Sequence, residues 1–253
     1  MHSSLPGFVA ERFRRRAPDG VRIVEGSTPV VSFGDVREAR IATLAINPSF
    51  NEFPKDGRER DGKEQRLETL LSLRCECLST APNVAIRRAF ESCNSYFTRN
   101  PYGYFRRLET ILQRVAASFS DGSACHLDLV QWATKPRWRD LAPWEKNALL
   151  RADTPFLRSQ LRSKSLCDLL INGSGVREQY ERFFSTKFTD ASVPASSDLQ
   201  VSKGPRITFF QGRTEFGQRV FGWNINLPST PGVSNDNVKA IAREIARLFK
   251  RSA

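Results

Sequence analysis

The chain has 253 residues, with 39 Lys and Arg against 27 Asp and Glu for a formal net charge of +12, and 40% of its residues are hydrophobic. That apolar content fills one sizeable core, so disorder throughout is excluded, and the length fits one large domain. No apolar run approaches the roughly 18 to 20 residues of a transmembrane helix and the N-terminal residues lack the apolar stretch of a secretory signal, so a cytoplasmic protein with no membrane partner is expected.

Residues 1–20 set Arg12, Arg14, Arg15 and Arg16 among Pro and Gly, which reads as a basic arm ahead of a single folded domain over residues 21–253. Residues 30–33 and 40–46 read as strands, the second apolar enough to be buried on both faces. A charged loop over 54–66 leads to a helix expected to carry Leu67, Leu70 and Leu71. Residues 84–119 read as more helix, with Phe105, Leu108, Ile111, Leu112 and Val115 at three- and four-residue steps and a turn at 100–103. A strand over 124–132, a helix over 143–163 and a buried strand over 166–171 follow, the last closing at 172–175 before a short helix. Residues 189–198 read as a loop, 207–210 and 219–227 as strands, and Ser234 onward as a helix with Val238, Ile241, Ile245, Leu248 and Phe249 on one face. Strands alternating with helices predict an α/β fold with a mostly parallel sheet, whose ligands bind where strands end at their carboxyl ends.

The five cysteines are odd in number and scattered, which favours reduced thiols over a disulfide framework. With two histidines and no zinc-type spacing, neither a metal nor a cofactor is expected. Residues 172–175 lack the third glycine of a dinucleotide fingerprint, and a tight turn in which Ser174 meets a DNA phosphate fits them better.

Two strand-end segments carry more information. Ala45-Ile46-Asn47-Pro48-Ser49 after the first buried strand and Leu227-Pro228-Ser229-Thr230 after the last resemble the two signature motifs of the uracil-DNA glycosylase superfamily. The resemblance spans roughly residues 30–250 in element order. It implies a three-layer α/β enzyme that flips a nucleotide from duplex DNA and hydrolyses its N-glycosidic bond without a cofactor, leaving an abasic site. Asn47 would orient the attacking water and stabilise the sugar cation by its dipole, since an amide is no strong general base. Ser229 and Thr230 would grip phosphate, and Val233 would act as a wedge in the vacated stack.

Two departures from the superfamily's common pattern bear on the substrate. Leu227 stands where a His usually precedes the Pro-Ser pair, as in the branch specific for mismatched thymine. Ser49 stands where uracil-specific members place a bulky Tyr, which leaves room for a substituent at C5. The branch that acts on hypermodified phage DNA, including glucosylated hydroxymethylcytosine, is similar in this respect and implies an antiviral role. Ile46, Phe50 and Asn172 would complete the base pocket, Phe50 as a stacking face, with Asp128 or Gln131 reading the base edge.

Lys135, Arg137 and Arg139 among Trp132, Trp138 and Trp144 combine charge with flat apolar surfaces suited to distorted DNA, the expected partner. No obligate protein partner is evident. Ordinary readings stay open beside each of these: Asn47-Pro48 and 227–232 as plain turns, the tryptophans as core, and His126 and Asp128, on one strand face, as structural residues rather than a nucleophile-activating pair. The alternative for the whole chain is a non-catalytic basic DNA-binding domain of the same fold.

Overall fold

The computed structural model describes residues 5–54, 66–99, 103–194, 196–227 and 229–252. Most of the charged loop at 54–66, the turn residues 100–102 and Pro228 lie outside the described residues. Two compact units are formed, one from Met1–Asp35, Ile46–Tyr102 and Leu127–Ser163 and the other from Val36–Ala45, Gly103–His126 and Lys164–Ala253.

The second unit is built on a six-stranded sheet in the order β2-β1-β3-β6-β5-β4, where β1 is Ile41–Ala45, β2 Ala124–Asp128, β3 Asp168–Asn172, β4 Thr189–Ala191, β5 Phe209–Arg213 and β6 Arg219–Trp223. All five residues of β1, β2 and β3 are buried, as expected of central strands covered on both faces. β1 pairs with β3 and β3 with β6 in parallel, with Leu44 opposite Ile171 and Asn172 opposite Trp223, so these three strands end at one edge of the sheet. β5 runs antiparallel to both of its neighbours. Gly222 of β6 admits the Phe210 ring of β5 where any Cβ would collide.

Helices flank the sheet within this unit. α5 (Ser174–Phe184) contacts β3, α6 (Asn235–Arg251) contacts β6, and α3 (Arg106–Arg114) packs on α6. α6 starts where its capping residues dictate: the Ser234 hydroxyl accepts from Asn237 N–H at 3.1 Å and the Asn237 side chain accepts from Ser234 N–H at 2.9 Å. Ile241, Ile245 and Leu248 are its buried stripe. Among the described residues no helix is long and apolar enough to cross a membrane.

The first unit corrects several expectations. Residues 7–14 are not a free basic arm but helix α1 (Gly7–Arg14), which contacts α2 (Asn83–Asn94) and α4 (Pro143–Gln160) and buries Val9, Arg12 and Phe13. Arg12 is buried because its Nη2 donates to Asp153 of α4 at 2.8 Å and its Nε to Gln131 at 3.0 Å. Residues 30–33 are buried without forming a strand: Val30 N–H donates to Gln131 O, and Val31 O accepts from Gln160 Nε2. No helix forms over Leu67–Leu71. The Thr69 and Ser72 hydroxyls each accept the other's backbone N–H, 2.8 and 3.0 Å apart, and divert the chain into a turn. The helix expected over 84–119 divides into α2 and α3, and the loop at 189–198 contains the short edge strand β4.

Arg22 grips Glu145 in the first turn of α4 through Nε at 2.9 Å and Nη2 at 2.6 Å, and Glu145 also accepts from Ala142 N–H at 2.8 Å. The Arg22 hydrogen bond holds the Glu145 carboxyl down to about 2, against an ordinary 4.5. A depressed carboxyl stabilises the fold above its unfolded value, and that contribution disappears as pH falls through the folded one. Glu145→Gln is therefore expected to lower the Tm at neutral pH, with the gap to wild type closing between pH 4.5 and about 2 in a calorimetric pH series. A gap that does not change with pH would show that the carboxylate charge is not what the pairing uses.

Candidate functional site

The site residues of the first unit cluster around the chain that continues β1. Asn47, half-exposed, donates through Nδ2 toward Trp132 O at 3.3 Å, Thr134 Oγ1 at 3.2 Å and Pro48 O at 3.2 Å. Two of these partners are carbonyl oxygens, which only accept, so the amide has one permitted orientation. Asn47 Oδ1 has no donor among the described residues and is the lone-pair face the side chain presents. Thr134, 87 residues from Asn47, has no sequence signal to link it to the motif.

Ile46 and Phe50, next to Asn47 in sequence, are half-buried. Ser49 has a local task as well as a small volume: its Oγ accepts from Asn51 N–H at 3.2 Å and caps the short turn Phe50–Glu52. Asp128 is buried at the end of β2. Gln131, expected to read a base edge, cannot do so in this arrangement. It is buried, with Oε1 accepting from Arg12 and Nε2 donating to Asp128 O at 3.0 Å, while its backbone N–H donates to Asp153 Oδ2 at 2.8 Å. Lys135, Arg137 and Arg139 are all exposed on the loop that follows. Trp132 is core, Trp138 half-buried and Trp144 exposed, so the three do not form one aromatic surface.

The second unit carries the other motif. Leu227 is fully buried, its N–H donating to Asn172 Oδ1 at 3.1 Å, and Arg107 of α3 holds the following loop through Leu227 O at 2.6 Å and Val233 O at 3.1 Å. Ser229 is exposed and Thr230 half-exposed, and both of their N–H groups donate to Asn226 O. Val233 is corrected: its side chain is only 7% exposed and packs inward, so it is not presented as a wedge.

Asn172 is likewise interior and hydrogen-bonded on both sides of its amide, which removes it from direct base contact. The turn after it is only partly available to a phosphate. Gly173, at φ 111°, and Ser174 use their N–H groups on Trp223 O and Asn224 O, which leaves the exposed Ser174 side chain. His126 is buried, shares a 2.7 Å hydrogen bond with Thr43 Oγ1 and meets the rings of Tyr104 and Phe105 edge-on, the geometry of a packed structural histidine. Among the described residues no three His, Cys, Asp or Glu side chains group as metal ligands would.

Arg107, Asn226 and Thr134 are the residues near these motifs that sequence reasoning did not assign to the site. Comparison with protein-family models and with curated protein sequences yields no match for this chain. Function is therefore carried by the side chains themselves.

Proposed function

We propose that this protein is a monofunctional DNA glycosylase with the three-layer fold of the uracil-DNA glycosylase superfamily, which flips a C5-substituted pyrimidine from duplex DNA and hydrolyses its N-glycosidic bond. The reading rests on one observation above the rest: Asn47, at the carboxyl end of β1, is clasped through Nδ2 so that Oδ1 remains as a fixed acceptor. A fixed carbonyl dipole suits this reaction. It orients a water for attack at C1′ and faces the positive charge that develops on the sugar as the base leaves as an anion. No proton need be taken by Asn47 in the transition state, which suits an amide.

Further support is the exposed basic loop of Lys135, Arg137 and Arg139 in a chain of net charge +12, a surface for holding phosphates while one base is examined. Small Ser49 beside half-buried Phe50 favours a pyrimidine enlarged at C5, such as the glucosylated hydroxymethylcytosine of phage DNA, and thus a cytoplasmic antiviral role.

Duplexes carrying single modified bases, incubated with the protein and then treated with hot alkali, are expected to break at the modified position, with the free base seen by mass spectrometry. Folded protein that releases nothing from the whole panel removes the enzymatic reading. Binding that weakens steeply with salt but leaves every base attached identifies a non-catalytic DNA-binding domain instead.

A further inference from the structure

Cys75 and Cys77 stand two residues apart in the irregular segment that leads into α2, within the first unit. Neither lies in a helix or strand, and both are half-buried, whereas Cys93 and Cys125 are buried. The end of α1 holds this segment in place: Arg14 Nη1 donates to Ala81 O at 3.0 Å and its Nη2 to Asn83 Oδ1 at 2.8 Å.

The two sulfurs have different surroundings. Cys75 Sγ donates to Leu73 O at 3.3 Å, an ordinary use of a thiol hydrogen. Cys77 Sγ meets the hydroxyls of Ser79 at 3.1 Å and Thr80 at 3.3 Å, and Arg16 Nη2 donates to it at 3.9 Å while also reaching Ser79 Oγ at 3.4 Å. A neutral thiol has one weak hydrogen to give, so several donors converging on one sulfur favour the thiolate. They hold the Cys77 thiol down to about 6 against an ordinary 9.0, the Ser79 hydroxyl having the largest effect. Glu76, the acid between the two cysteines, is exposed, where water screens its charge.

We propose that Cys77, activated by Ser79, Thr80 and Arg16, is a peroxide-reactive thiol whose oxidation is resolved by Cys75, so that this segment is a reversible modification site independent of the glycosylase reading. The Cys77 thiolate attacks hydrogen peroxide, an S–O bond forming as the O–O bond breaks and hydroxide leaves. The Cys75 sulfur then attacks the resulting sulfenic acid: the S–S bond forms, the S–O bond breaks, and water departs with the Cys75 proton. The two thiols lose two electrons and the peroxide gains them. Residues two apart have Cα atoms roughly 5 to 7 Å from one another, within the span of a disulfide. Closure therefore requires the two side chains to turn away from Leu73 O and Ser79, with no helix or strand to break.

The test uses the full chain, reduced and then freed of reductant, with an equimolar amount of hydrogen peroxide and peptide mass spectrometry. Wild type is expected to form the Cys75–Cys77 disulfide before the exposed Cys167 is oxidised, and dithiothreitol should reverse it. In Cys75→Ser the reaction should stop at the Cys77 sulfenic acid, trapped by dimedone. At about pH 6, iodoacetamide is expected to alkylate Cys77 about tenfold faster than Cys167, because the gain in thiolate outweighs the lower nucleophilicity of a more acidic thiol. Ser79→Ala should slow that alkylation several-fold.

Oxidation of Cys167 first, a wild type that stops at the sulfenic acid, or disulfides formed only between chains overturns the proposal. So does alkylation of Cys77 no faster than that of Cys167, an unchanged rate in Ser79→Ala, or a Cys77→Ser variant that still oxidises Cys75 at the wild-type rate. The wild-type measurements need no variant to fold, and base release enters none of them.

Discussion

Asn47→Ala is expected to lower single-turnover base release about 10²- to 10³-fold, the effect of deleting one preorganised polar group that faces transition-state charge. Affinity for duplex DNA should stay the same. Asn47 is half-exposed, its Nδ2 is committed to Trp132 O and Thr134 Oγ1, and the exposed cations Lys135, Arg137 and Arg139 belong to a different segment, the one that follows β2, so its truncation removes none of these charges.

The orientation can be tested apart from the group. Thr134→Val deletes one of the acceptors that hold Nδ2 while leaving Asn47 in place, so a smaller loss of turnover is expected, again at constant affinity. Fluorescence anisotropy gives the affinity and gel-resolved alkali cleavage the rate. Full turnover in Asn47→Ala would strip Asn47 of its assigned role, and a fall in affinity equal to the fall in rate would make it a binding residue.

The parts of the fold that were legible in the sequence are those fixed by local pattern. β1 and β3 are short apolar runs bounded by turn residues, and α6 has both an apolar stripe and a capping box. What was not legible depends on partners far along the chain. α1 reads as a charged arm because nothing local shows that Arg12 meets Asp153, 141 residues away. The apolar residues around Leu67 suggest a helix until the Thr69 and Ser72 hydroxyls are seen to take the backbone N–H groups. β4 (Thr189–Ala191) has no apolar pattern because it is a largely exposed edge strand.

The candidate site divides along the same line. A residue type at a strand end is visible in sequence, as with Asn47, but the occupation of its hydrogen-bonding atoms is not. Gln131 and Asn172 are the right chemistry in the right loops, yet both are tied into the interior. A motif names the loop, and hydrogen-bond accounting names the atom.

Asp153→Ala is expected to destabilise the chain by about 3–5 kcal/mol, the range for removing one partner of a buried ion pair. Asp153 does two jobs: Oδ1 accepts from Arg12 Nη2 and Oδ2 from Gln131 N–H, both at 2.8 Å, and both residues of the pair are almost wholly buried. Burial is the largest influence on each, raising the Asp153 pKa and lowering that of Arg12 against their mutual attraction. Desolvation thus offsets much of what the pair gains, and the damage from single truncation comes mainly from the charge left behind.

The double variant Arg12→Met, Asp153→Leu is therefore expected to be markedly more stable than the sum of the single changes, read from urea midpoints in a double-mutant cycle. Additive losses would mean that the two side chains act independently. The same pair also bears on the site. Gln131 is bound to both members, Trp132 lies under the Arg12 guanidinium at 5.5 Å, and Trp132 and Thr134 supply the acceptors of Asn47. Asp153→Ala is consequently expected to reduce base release at temperatures where the chain is still folded. The double variant should recover stability more fully than turnover, because packing can replace the charges while the N–H of Gln131 still lacks its acceptor.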